Sequence, residues 1–277
     1  MVRLGMSGLA AILASSVAVP ALAADYIEPP VIEAPPVVEE VYAAPDVGGW
    51  YIRGDIDYHW TNFRNGDYIL YGAPGQRGKF DDGDLKGAMS LGAGIGYQVN
   101  DYFRVDLTGD YFFDADFEGS TSGFCGGVPC TSTDRSSMSA FLLLANAYVD
   151  LGTYHGFTPY VGAGIGGAHI KWDKLVNDDD NGRTEHDGGS EWRFAYAAMA
   201  GVSYCLTNRT KLDFGYRYSR IEGGDMFGYA NNAGPGFDDG FDVHEVRGGL
   251  RYQFTGSNGC EPAPQPIAYE PPPVYKQ

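Results

Sequence analysis

FDVHEVRGGLRYQF, residues 241–254, sorts from His244 onward into two unlike faces: Val246, Gly248, Leu250, Tyr252 and Phe254 on one, and Glu245, Arg247, Gly249, Arg251 and Gln253 on the other. A period of two is the pattern of a strand with one apolar and one polar side. Full charges on the polar side, with Tyr and Phe closing the apolar side, fit a strand that faces lipid outward and a wet lumen inward. If that reading is right, other strands must repeat it.

The clearest copy is residues 50–60, with Trp50, Ile52, Ile56, Tyr58 and Trp60 on one face against Tyr51, Arg53, Asp55, Asp57 and His59 on the other. Residues 87–99, 103–113, 138–151, 158–172, 191–206 and 211–221 follow the same rule, which with the closing strand makes eight. Residues 138–151 are more apolar than the others, though Phe141, Leu143, Ala145, Ala147, Val149 and Leu151 still line up opposite Asn146, Tyr148 and Asp150, and in 158–172 the phase blurs after Gly166, which reads as a bulge. Long connections (61–86, 114–135, 173–190, 222–239) alternate with short ones (100–101, 152–157, 207–209). The expected fold is therefore all-β: an eight-stranded antiparallel up-and-down transmembrane β-barrel with disordered Pro-rich tails. Both chain ends then lie on the short-turn, periplasmic side. A soluble up-and-down barrel would carry its apolar residues inside, the reverse of this arrangement.

Composition agrees. The 277 residues include 20 Tyr, 15 Phe and 40 Gly, and the formal net charge of -17 with no basic patch argues against nucleic acid. Residues 1–23 read as a secretory signal peptide, with Arg3, an apolar stretch from Leu9 to Val19 and a small-residue site before Ala24. Beyond it no uncharged apolar run is long enough for a membrane helix, so any span must be made of strands. Residues 24–49 are a Pro-rich acidic linker, 50–254 the outer-membrane barrel, and 255–277 a Pro-rich periplasmic tail.

The signal ending in ALA before Ala24-Asp25-Tyr26, the opening strand GGWYIRGDIDYHW, the segment TPYVGAGIG (158–166) and the closing VRGGLRYQF resemble the small outer-membrane surface-antigen barrels of alphaproteobacteria. These belong with the OmpA-like and opacity-protein-like eight-stranded porin family. The resemblance implies an outer-membrane location, contact with lipid and lipopolysaccharide, and a terminal aromatic strand, here Tyr252 and Phe254, that the barrel-assembly machinery reads. The family usually ends at that aromatic, whereas here a tail follows Phe254. It also implies that a mature amino terminus of Ala24-Asp25 is a site of covalent attachment to peptidoglycan.

No catalytic constellation emerges, and the chain is read as a non-enzyme without cofactors. GAGIG occurs at 92–96 and 162–166, but glycines two apart share one strand face and serve to clear space in a narrow lumen rather than to cradle a dinucleotide. The five His are scattered, and the Asn177-Asp179-Asn181-Gly182 run lacks the bidentate Glu of a calcium loop, Gly188 standing in its place. No metal site is assigned. Arg53, Asp55, Asp57, Arg104, Asp106, Asp110, Arg193, Asp213, Arg217, Glu245, Arg247 and Arg251 all point inward, and buried charges persist only when paired. They read as a salt-bridge network filling the lumen, with a proton or ion path as the alternative. Asp81, Asp82, Asp84, Asp178 to Asp180, Glu185, Asp187, Asp238 and Asp239 are expected to make the outer end acidic. Two disulfides are expected, Cys125–Cys130 within one connection and Cys205–Cys260 at the short-turn rim. The functional expectation is a structural protein of the cell envelope. The rivals are a narrow uptake channel and an adhesin acting through its outer connections.

Overall fold

The computed structural model describes residues 47–70, 77–125, 127–230 and 233–260. Its strands, in chain order, are β1 (Gly49–Phe63), β2 (Gly66–Leu70), β3 (Arg77–Lys79), β4 (Asp82–Gln98), β5 (Phe103–Cys125), β6 (Val128–Asp150) and β7 (Phe157–Trp172). After these come β8 (Leu175–Asp179), β9 (Gly182–His186), β10 (Ser190–Cys205), β11 (Thr210–Ile221), β12 (Gly224–Phe227), β13 (Ala233–Asp238) and β14 (Phe241–Gln253). Each of β1, β4, β5, β6, β7, β10, β11 and β14 pairs antiparallel with the next, and β14 returns to β1, so eight strands form a closed ring. Closure removes the unpaired edges that lipid cannot satisfy.

The outward face of the ring is apolar and exposed. Trp50, Tyr97, Phe157, Tyr204, Tyr252 and Phe254 band the short-turn end, while Tyr58, Trp60, Tyr111, Phe141, Trp192 and Tyr216 band the other. Aliphatic Ile52, Ile56, Leu91, Leu107, Ile165 and Leu250 fill the belt between. About half the surface of Ile56 (55%) is open, which water would penalise and hydrocarbon would not.

The four long connections are not loops. β5 and β6 run on as one hairpin of 23 residues a side. The β8–β9 hairpin adds to β6 and extends that wall. A second sheet, ordered β12-β13-β2-β3, faces it. The alternation was hard to follow there because the inside of this part is apolar. On β7 the inward residues pass from Gly162, Gly164 and Gly166 to buried Ala168, Ile170 and Trp172 with no register shift on either ladder, so the bulge expected there does not exist. The real shifts lie at Phe112/Ala115 on β5–β6 and His59/Thr61 on β1–β4.

Residues 1–46, read from the sequence as a signal peptide and most of the linker, and residues 261–277 lie outside the described residues. Residues 47–49 and 255–260, read as linker and tail, are instead folded onto the short-turn end. Val47 bridges Ser257, and the Gln253 amide donates to the carbonyls of Gly48 (2.7 Å) and Ser257 (2.8 Å). The Cys205–Cys260 disulfide fastens this strap to β10, as the sequence led us to expect.

Candidate functional site

Period-two sidedness carries charged side chains from β1, β5, β11 and β14 into the ring, where they meet in layers. Eleven of the twelve charged residues picked from the sequence line the lumen of the barrel, and all eleven are buried. In the central layer Arg217 on β11 grips Glu245 with two donors and reaches Asp110 on β5 at 2.8 Å. β5 and β11 are opposite each other in the ring, so this contact crosses its whole width. Arg247 shares Asp110 (2.9 Å) and donates to Asp57 (3.2 Å). One level down, Arg53 clamps Asp55 with two donors (2.7 and 2.9 Å) and donates to Asp106 (3.1 Å). The other oxygen of Asp106 accepts from Asn146 at 2.8 Å. Nearest the short turns, Arg104 donates to Asp150 (3.1 Å) and Arg251 to Ser203 (3.0 Å) and Asp213 (3.4 Å).

Parity alone does not rank which inward residues matter. Tyr51 and Tyr148 sit on the inward face but are uncharged, and both are buried participants: Tyr51 donates to Asp106 at 3.1 Å, and the Arg104 guanidinium lies 3.9 Å from the centre of the Tyr148 ring. Asp150 and buried Lys211 stand near strand ends, where the pattern gives least warning. With them the lumen holds six cations against seven carboxylates, which lets almost every charge be answered. The glycines of the GAGIG segments supply the room: a Cβ on Gly96 would stand 2.3 Å from the Tyr51 ring, and one on Gly92 2.3 Å from Asp110 Oδ1.

Arg193 is the exception and corrects the sequence reading. It lies above the lumen charges and ties the ring to the upper sheet, donating to Asp238 at 2.6 Å and to the Asp225 carbonyl at 2.7 Å. Asp238, expected at an acidic surface, is accordingly buried.

Above the charges the same ring is closed a second time by aromatic side chains. Phe63 of β1 lies 5.1 Å from Phe117 of β5, 6.1 Å from Phe241 of β14 and 6.5 Å from Trp172 of β7, the strand opposite β1. Phe80, Phe227 and Met226 from the upper connections complete this cap. No part of it was assigned from the sequence, although the inward Leu142, Leu144 and Ile170 on strands otherwise apolar outside were its trace.

Of the remaining sequence candidates, Tyr252 and Phe254 are exposed in the aromatic band at the short-turn end. Cys130 is disulfide-bonded, whereas the side chain of Cys125 lies outside the described residues, as do Ala24 and Asp25. Among the described residues no group of three or more His, Cys, Asp or Glu is placed to hold a metal ion.

The chain is similar to several known proteins. An uncharacterized protein of Brucella suis biovar 1 is 40% identical over 253 residues, covering 78% of this chain and 89% of that protein. The outer membrane protein PagN of Salmonella typhimurium is 28% identical over 137 residues, 48% of this chain and 57% of its own. The crystal structure of the outer membrane protein OprG from Pseudomonas aeruginosa aligns with 76% of this chain and 98% of its own, at 16% identity and a TM-score of 0.46. The model of the outer membrane protein beta-barrel domain matches residues 9–254, and the chain belongs to that family of proteins embedded in the lipid of the outer membrane.

Proposed function

We propose that this protein is a structural element of the outer membrane, a barrel closed to bulk flow that stabilises the envelope. The observation that carries this reading is the Arg217–Asp110 ion pair at 2.8 Å between opposite strands, with the aromatic cap stacked above it. An eight-stranded barrel is about filled by its own side chains. Separating the partners would leave charges unpaired in the buried interior, so opening of this layer is disfavoured. In planar bilayers the purified protein gives no steady conductance; a stable, large open state would replace this reading with that of a channel.

The reading extends to the amino-terminal arm. After cleavage before Ala24, the unprotonated α-amino group, with a pKa near 8, attacks the acyl carbon that an L,D-transpeptidase holds on a peptidoglycan stem; the acyl–enzyme bond breaks, the enzyme's nucleophile leaves with the amine's proton, and an amide remains. The roughly 25 residues between Ala24 and the barrel, extended at about 3.1 Å each, reach about 75 Å. Residues 47–49 are held at the short-turn end, the end this reading assigns to the periplasm. Lysozyme and trypsin digestion of sacculi releases a muropeptide joined to the peptide that starts at Ala24. Complete extraction of the protein from sacculi by hot detergent, unchanged by substitution of Asp25, overturns the tether and leaves the sealed barrel.

A further inference from the structure

The upper sheets line a crevice apart from the lumen charges, bordered on one side by the cap residues Phe80 and Phe227. Its volume is about 310 Å³, at the lower end of small-molecule sites, which run from about 300 to 1,000 Å³. One wall is the extended barrel wall of β5, β6 and β8; the other is the sheet that contains β2 and β12. The two walls differ in chemistry.

The barrel-side wall carries a row of polar side chains. The hydroxyls of Thr121 and Ser132 are 2.5 Å apart, and the Asn177 amide donates to Ser132 (2.9 Å) and to Asp134 Oδ1 (2.6 Å). Asp134 is 1% exposed, and its second oxygen, Oδ2, has no hydrogen-bond partner among the described residues. A buried acceptor left in that state costs about 1–3 kcal/mol, so an incoming donor has a place to bind. The opposite wall is lined by half-buried Tyr68 and by Phe227, whose ring packs against Phe80 and His186. Among the described lining residues there is no Lys or Arg, and the crevice is acidic.

A polar row that exchanges hydrogen bonds, aromatic faces across from it and one unanswered carboxylate oxygen together select a ligand class. Hydroxyls suit Thr121, Ser132 and Asn177; an apolar ring face or a cation suits Tyr68 and Phe227; an ammonium suits Asp134. We propose that this crevice binds a monosaccharide-sized amino sugar, free or at the end of a glycan, with its ammonium on Asp134. Anionic and sulfated sugars are excluded by the same carboxylate. The site lies apart from the lumen charges and stands or falls independently of the sealed-barrel reading.

The test is titration of the full chain in lipid nanodiscs with glucosamine, with glucose as the neutral control, followed by amide chemical shifts. Saturable binding of glucosamine is expected, with glucose weaker by about tenfold, or about 1.4 kcal/mol. Asp134→Asn, which keeps the shape and the Asn177 contact, is expected to weaken glucosamine by a similar factor and leave glucose unchanged. Tyr68→Ala, on the other wall, weakens both sugars and serves as the second variant should Asp134→Asn not fold. Absence of saturable binding at millimolar sugar overturns the proposal and leaves a crevice whose carboxylate is satisfied by water. Equal affinity for the two sugars, or folded variants that bind as the parent does, overturns it as well.

Discussion

The barrel lumen and the cap above it close the same ring of strands with opposite chemistry. In the lower part Arg53, Asp57, Asp110, Arg217 and Glu245 point inward while Ile52, Ile56, Leu91 and Tyr58 point out. In the upper part Phe63, Phe117, Trp172 and Phe241 point inward while Lys86, Asp116, Glu118 and Lys171 are on the outside. Along β14 the change takes place without a break, from Arg251, Arg247 and Glu245 to Val243 and Phe241 on one face. What inverts is the solvent. A wall in hydrocarbon places its apolar side out, and the same wall in water places it in. The inversion therefore marks where the strands leave the membrane, and on β5 it coincides with the register shift between Phe112 and Ala115.

The two layers should fail differently when cut. The largest effect is expected for Arg217→Ala, which leaves buried Glu245 without its ion-pair partner and Asp110 with Arg247 alone. Loss of one partner in such a cluster costs about 3–5 kcal/mol. Urea unfolding in vesicles, followed by the heat-modifiable shift on gels, would read this directly. A loss below about 1 kcal/mol, the value of exposed pairs, would mean that water reaches the lumen and the layer is not sealed.

The cap should respond to volume rather than charge. Ile170 is fully buried and lies two residues before Trp172 on the same inward face of β7. Ile170→Val is expected to cost about 0.5–1.5 kcal/mol, with bilayer conductance unchanged because the charged layer below is untouched. The measurement is the same unfolding assay, with hydrogen exchange to locate the loss in the upper strands. Conductance appearing in this variant would make the cap, rather than the charges, the seal.

This comparison also accounts for what could be read in the sequence. The eight barrel strands were legible because within the membrane belt their outward faces are apolar and period two gives the side of a strand whatever fills the interior. The lumen charges were legible for the same reason: Arg247 and Arg251 can only be opposite Val246 and Leu250. The cap was not legible, because a rule that takes inward as polar turns Ala168, Ile170 and Trp172 into a loss of phase. β2, β3, β8, β9, β12 and β13 are 3 to 6 residues long, too short for alternation to stand out from chance. Arg193 was misplaced for a related reason, since parity gives the side of a strand but not the height at which the membrane ends.

The smallest expected effect is a dependence on pH confined to the upper region. Burial pushes the carboxyl of Asp238 above the usual carboxylate range despite the Arg193 guanidinium beside it, and burial does the same to Asp134 despite the Asn177 amide. A carboxyl whose pKa is higher in the folded state holds its proton more firmly there than in the opened chain. The fold is then favoured most below the ordinary carboxylate range, and stability is lost as pH rises from that range through the raised values. Asp242 works the other way: burial raises it, but bonds from Tyr218 and Arg64 leave it below its usual value, so its contribution is lost as pH falls. It is a less buried group than the other two, and screening reduces its weight. Amides of β8, β12 and β13 should accordingly be better protected at mildly acidic than at neutral pH once exchange is corrected for its intrinsic rate, while those at the centre of the barrel strands do not change. Asp134→Asn should flatten the dependence in β8 and keep it in β13, which stays under the control of Asp238. Protection that rises with pH throughout the upper strands would assign control to Asp242 and to surface charge, and the contrast between a solvent-screened exterior and a dry upper interior would lose its support.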